Sequence, residues 1–291
     1  MRNLLKKLAI VMGITCICFM FEKGDAALAA DRNAIHVVDK KSGTNTEYDM
    51  PDDSKGDIVL PANNVWGEKK QADGIALTNI IGTDDRVLIS NANTFPYTTI
   101  ARITVVYQDG TAQRGSGAII GPRLVATAGH VLINESLSRP KSIKMEFGLY
   151  GTSSYYKTSN YSAYIYYGDY KGYNTETDYG FIVLPEDVGT NVTGCMGIRT
   201  ACDPNQAIFA AGYPGGNPYL YNCAGNVIDF TDDVLVINAD FTAGESGGPV
   251  FVMYEGMPYL MGTISGSAGT TNYARRLNTG LLNWLQDNGY R

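Results

Sequence analysis

The chain has 291 residues, 44% of them hydrophobic and only 18% charged, which is enough apolar material for a real core and argues against a disordered polymer. Its formal charge of −6 comes with no run of Lys or Arg long enough to follow a phosphate backbone, so nucleic acid is excluded as an expected partner.

At the N-terminus, Arg2, Lys6 and Lys7 precede an apolar run over residues 8–21, and small residues follow up to Ala30. This is the three-part pattern of a secretory signal peptide, predicted as residues 1–29 with Ala27-Leu28-Ala29 at the cleavage site. The apolar run is shorter than the roughly 20 residues that cross hydrocarbon, so a secreted, extracellular product without membrane attachment is expected. Cys16 and Cys18 leave with the signal, and the remaining Cys195, Cys202 and Cys223 allow at most one intramolecular disulfide. Cys195 and Cys202 are close enough in sequence to clip a loop, with Cys223 left as a buried thiol.

Residues 30–78 are dense in Asp, Lys, Asn and Gly and hold neither a period of 2 nor one of 3.6 for long, which reads as a prosegment or an exposed tail. The texture changes at residues 99–107, an alternating β-branched run closed by the turn Gln108-Asp109-Gly110. Short strands are predicted at 117–120, 124–127, 180–184, 207–211, 234–237, 250–252 and 260–264, and the 33 glycines between and around them suit tight turns. An all-β barrel or sandwich follows. One helix is expected last, capped by Asn278 or Thr279, with Leu281, Leu282, Trp284 and Leu285 on one face and an end near Asn288-Gly289. Ten tyrosines between Tyr150 and Tyr179 fit half-buried strands better than a substrate cleft.

Chemistry concentrates at Ser246, inside a Gly-x-Ser-x-Gly pattern that unrelated hydrolase designs share. A serine hydroxyl needs a base to take its proton and a third group to hold that base. The chain has two histidines, and His36 lies in the segment expected to be removed, so the base must be His130. No histidine follows Ser246, which excludes the α/β-hydrolase order of Ser, acid, His. The order His, Asp, Ser fits; the order Asp, His, Ser passes on counting but belongs to a helix-rich fold.

Ala126-Thr127-Ala128-Gly129-His130 resembles the histidine loop of chymotrypsin-fold serine proteases, and Gly244-Glu245-Ser246-Gly247-Gly248-Pro249 resembles their nucleophile loop. The stretches Ile80-Ile81-Gly82-Thr83-Asp84-Asp85-Arg86, Thr94-Phe95-Pro96-Tyr97 and Asp178-Tyr179-Gly180 are similar to the secreted bacterial glutamyl endopeptidase branch. The likeness starts near Asn79 and runs to the C-terminus. It implies two six-stranded antiparallel β-barrels, over about 79–185 and about 186–291, with a C-terminal α-helix. It also implies a catalytic set of His130, Asp178 and Ser246, with the backbone N–H groups of Gly244 and Ser246 as the oxyanion hole.

By the same resemblance, residues 30–78 are a prosegment, cut near Thr78 by an activating protease or by self-processing. The new amine at Asn79 or Ile80 is expected to pair with Glu245. Around the substrate pocket, Thr263 stands where the branch usually has a histidine, and Phe241 where it often has threonine. Asp240 stands where trypsin-like enzymes keep an acid, Gly266 suggests an open mouth, and Arg275 is a candidate source of replacement charge. These departures leave the residue preferred before the cut unresolved. No cofactor or metal is implied; the expected partners are protein or peptide substrates of a monomeric enzyme. A protein of another class, an exported noncatalytic binder with the same fold, would be expected to have lost a member of the catalytic set.

Overall fold

The alternation over residues 99–107 becomes the strand Ile100–Tyr107, whose Ile100, Ile103, Val105 and Tyr107 point into the core while Arg102, Thr104 and Val106 are partly exposed. The chain is described from a computed structural model that covers residues 34–51, 57–63, 83–167, 174–268 and 271–291. The expected signal peptide, Asn79 and Ile80 lie outside the described residues. Among those described, no helix is long and apolar enough to cross a membrane.

The architecture is mostly β, with a closed six-strand barrel and a second sheet. In the first sheet the strand order is Asn45–Asp49, Ala34–Asp39, Ala163–Tyr167, Gly180–Val183, Leu124–Thr127, Ala112–Ile119, Ile100–Tyr107, Pro140–Phe147 and Tyr156–Thr158, each antiparallel to the next. The closed barrel runs Pro249–Tyr254, Ala207–Gly212, Tyr221–Phe230, Val234–Ile237, Thr271–Arg276 and Met257–Ala268, which pairs back onto Pro249–Tyr254. Gly197–Arg199 adds to it in parallel, Val59–Leu60 lies beyond, and Val87–Leu88 pairs with Tyr221–Phe230. Short segments from before residue 90 therefore belong to the sheet built mainly by the C-terminal half.

The described part of residues 30–78 is not an exposed tail. Ala34–Asp39 pairs with Ala163–Tyr167 and is buried on both faces, with Ile35 and Val37 in one apolar cluster and Val38 in another. A strand covered on both sides carries no alternation, which is why the periodicity gave no sign of it. His36, with no exposed surface, stacks on Tyr166 at 5.0 Å and meets Asn45 Nδ2 at 2.9 Å.

The C-terminal helix Thr279–Asp287 is capped by Asn278, whose Oδ1 accepts from Leu281 N at 2.9 Å. Its Leu281, Leu282, Trp284 and Leu285 are buried, and Trp284 meets Tyr48 of the N-terminal hairpin edge-on at 5.3 Å. Among the clustered tyrosines, Tyr161, Tyr164, Tyr166, Tyr167 and Tyr179 are buried, more deeply than half-buried strands predict. Cys195, Cys202 and Cys223 are free thiols, so Cys195 and Cys202 do not clip a loop.

Candidate active site

Two neighbouring strands bring the acid to the base. Gly180 pairs with Thr127, so the residues just before Gly180–Val183 and just after Leu124–Thr127 emerge side by side. After Thr127 the chain passes Ala128 in an extended conformation and enters the single helical turn Gly129–Leu132, which carries His130. Asp178 is 3% exposed; its Oδ1 accepts from His130 N at 2.9 Å, and its Oδ2 lies 2.8 Å from His130 Nδ1. Ser265 Oγ donates to the same Oδ2 at 2.5 Å. With Nδ1 bearing the hydrogen toward the carboxylate, Nε2 keeps the lone pair. Burial works against a charged imidazole here, but the charge and hydrogen bond of Asp178 outweigh it and hold His130 above its ordinary value.

Ser246 sits in the loop ahead of Pro249–Tyr254, where Gly244 and Gly247 have φ of +95° and +80°. A Cβ on Gly244 would come within 2.6 Å of Gly215 N and 2.7 Å of Tyr213 O, so both the conformation and the space require glycine. Strand Ala112–Ile119 of the first sheet pins this loop: Ser116 N donates to Ser246 O at 2.7 Å and Ser116 Oγ donates to Gly244 O at 2.9 Å. Ser116 Oγ also accepts from Tyr213 N at 2.9 Å. From 244 to 248, the amides of Glu245, Gly247 and Gly248 donate to the carbonyls of Thr242, Ile264 and Glu245. For the amides of Gly244 and Ser246 the described residues supply no acceptor, which is the arrangement a developing oxyanion needs.

Glu245 was expected to meet a new amine at 79 or 80; in the uncut chain its cation is instead Arg86. Arg86 Nη1 donates to Glu245 Oε2 at 2.6 Å and to Thr242 Oγ1 at 2.7 Å, while Nε and Nη2 hold Asp84 at 2.9 and 2.8 Å. Thr242 N adds a bond to Glu245 Oε2 at 2.7 Å. Burial raises the Glu245 carboxyl above its ordinary value despite these partners, whereas the bonds from Arg86 hold exposed Asp84 at about 2. Nothing local in the sequence shows that Arg86 reaches across 159 positions to Glu245.

A cleft of about 690 Å³ opens at His130, Asp178 and Ser246. Of the pocket residues expected from sequence, Phe241 and Gly266 line it, and Asp240 and Thr263 do not. Asp240 turns aside: burial and then Asp85, with which it shares a hydrogen bond, push its carboxyl up, and its amide donates to Cys223 Sγ at 3.1 Å. Thr263 is 6% exposed, held in register between Pro249 and Arg275. Arg275 is not a replacement charge for the pocket either. It is 2% exposed, pairs with Asp233 Oδ1 at 2.8 Å, donates to Asp233 O and Arg276 O, and lies over the Tyr179 ring at 5.3 Å. Ser265, Ser267, Val234 and Tyr273 line the cleft without having been singled out in the sequence.

A β body with His, Asp and Ser brought to one cleft in that chain order is the design of a trypsin-like peptidase domain, and residues 115–256 match the sequence profile of that family. The chain is 30% identical over 181 residues to the glutamyl endopeptidase of Bacillus licheniformis, a match covering 60% of this chain and 55% of that relative's length. It is 26% identical over 220 residues to an extracellular metalloprotease of Bacillus subtilis, covering 72% of this chain and 69% of the relative. A solved Glu endopeptidase has the same fold, with a TM-score of 0.62 at 19% identity over 73% of this chain and 100% of that one. The protease Anisep of Arthrobacter nicotinovorans gives 0.55 at 20% identity, over 65% and 94%. The chain is thus similar in sequence to trypsin-like peptidases and to a glutamyl endopeptidase, of whose length it spans little more than half, and it has the fold of these solved proteases.

Proposed function

We propose that the chain is a secreted serine endopeptidase that hydrolyses peptide bonds through an acyl-enzyme on Ser246. His130 Nε2 takes the Ser246 proton as the hydroxyl attacks the carbonyl carbon, then returns it to the leaving amine; water repeats the sequence on the ester. Asp178 holds the tautomer and stabilises the imidazolium, Ser265 steadies Asp178, and the amides of Gly244 and Ser246 face the oxyanion. The observation that carries this reading is the two-point grip of Asp178 on His130, 2.9 Å to its backbone N and 2.8 Å to Nδ1, at the mouth shared with Ser246. Export through residues 1–29 and a cut near Asn79 belong to the same proposal.

The test is to incubate the chain, uncut and after limited proteolysis, with a diverse peptide mixture and to sequence the cuts. Cleavage should vanish in Ser246→Ala and His130→Ala, and drop about 10⁴-fold in Asp178→Asn with the fold kept. Cuts that persist unchanged in Ser246→Ala would sink the proposal.

A further inference from the structure

The cleft is long on apolar surface and short of cations. Phe241, Val234 and Tyr273 line it beside the hydroxyls of Thr242, Ser265 and Ser267, and Gly266 leaves open space where a side chain would stand. The charged lining residues other than His130 are Asp178, already bound by His130 and Ser265, and the exposed Glu176. No Lys or Arg lines the cleft among the described residues. Two cations beside its walls are committed elsewhere: Arg275, two positions from Tyr273, to Asp233 and two carbonyls, and Arg86, which bonds Thr242, to Glu245 and Asp84; Lys171, three positions before Asn174, lies outside the described residues. The acid that would favour lysine or arginine is also turned away, since Asp240 faces Asp85 rather than the cleft.

We infer that the pocket next to Ser246 accepts a large neutral, apolar side chain, such as phenylalanine or leucine, in the residue before the scissile bond, and discriminates against glutamate. This rests on the serine endopeptidase reading and adds the substrate class to it. A substrate carboxylate entering this cleft gives up water and meets, among the described residues, hydroxyls, the Asn174 amide and His130 but no Lys or Arg, with the Glu176 carboxylate at hand. A lysine or arginine likewise finds no buried acid that is not already engaged. A phenyl or isobutyl group leaves water for contact with Phe241, Val234 and Tyr273 and strands no charge. Phe241 is the residue expected to matter most, because it stands where a polar side chain would otherwise offer a hydrogen bond.

The experiment uses peptides identical except for the residue before the cut, which is Phe, Leu, Gln, Glu or Lys. Expected kcat/KM values for Phe and Leu exceed that for Glu by about a hundredfold, with Gln between them. A Glu peptide cleaved as fast as the Phe peptide overturns the inference. The same ranking is read without turnover from calorimetric binding, to the Ser246→Ala chain, of product peptides ending in each residue. Retained ranking with no Ser246-dependent cleavage would refute the endopeptidase reading and support the pocket; lost ranking with cleavage intact would do the reverse. Phe241→Lys should raise the Glu-to-Phe ratio at least about tenfold in both readouts, and an unchanged ratio would overturn the role given to Phe241.

Discussion

Replacing Arg86 with Met removes the cation facing Glu245 and keeps most of the side-chain stem. Glu245 is 1% exposed, and what it retains is the amide and hydroxyl of Thr242, at 2.7 and 3.2 Å. A buried carboxylate stripped of its partner costs about 3–5 kcal/mol if it stays charged. Protonation offers a cheaper route. From the ordinary carboxyl value of 4.5, binding a proton at pH 7 spans 7 − 4.5 = 2.5 pH units, or about 3.4 kcal/mol at about 1.4 per unit. Burial has already raised Glu245 and narrowed that gap, so the expected loss is about 2–3 kcal/mol. Without Arg86 the folded-state value rises further, so stability relative to the native chain is preserved below about pH 4.5 and falls as the pH climbs through the raised value. Glu245→Gln keeps an acceptor and drops the charge; it should cost about 1 kcal/mol alone and recover most of the loss when added to Arg86→Met. Urea unfolding midpoints at pH 5 and pH 7.5 measure all of this. A deficit independent of pH, or a double variant no better than Arg86→Met, would refute the reasoning.

Other consequences follow from the same geometry. The acid limb of kcat/KM should have its midpoint above 6.5, because Asp178 holds the proton on His130, and Asp178→Asn should move that midpoint down. Stability from the protonated pair is present below about pH 6.5 and lost as the pH rises through the raised value. Gly244→Ala should cut kcat about 10²–10³-fold, the effect of a misplaced oxyanion donor, with circular dichroism unchanged; native-like turnover would argue against the loop geometry. Ile35→Ala, in a strand with Ile35 fully buried, should lower stability by about 2–4 kcal/mol in thermal unfolding. An exposed tail at that position would show no change.

The sequence carried the candidate reacting groups because their chemistry restricts residue type: one histidine in the matched region, a serine among glycines, and an aspartate ahead of an apolar strand. It carried Phe241 and Gly266 for a related reason, since a loop and a strand leading to the reacting groups must form the cleft wall. Asp240 and Thr263 failed because an offset in sequence does not say which way a side chain turns; Asp85, 155 positions earlier, captures Asp240. Ser116, Ser265 and Arg86 are ordinary polar residues locally, and only the fold brings them to the nucleophile loop or to Asp178. The hairpin over residues 34–49 hid for a different reason: one strand is buried on both faces and the other reads Asn-Thr-Glu-Tyr-Asp, so neither alternates.

That hairpin also decides what kind of border the first sheet shows to other molecules. Ala34–Asp39 occupies the open edge of the tyrosine-rich strand Ala163–Tyr167, and Asn45–Asp49 becomes the outermost strand, carrying Glu47 and Asp49. Acidic residues on an edge discourage one sheet from adding to another. A cut near Thr78 would leave the hairpin held without a covalent link, by its pairing and by the packing of Ile35, Val37, Val38 and Tyr48, so the peptide would serve the cleaved protein as a noncovalent guard against self-association. Its dissociation would first be seen as a change in colloidal behaviour.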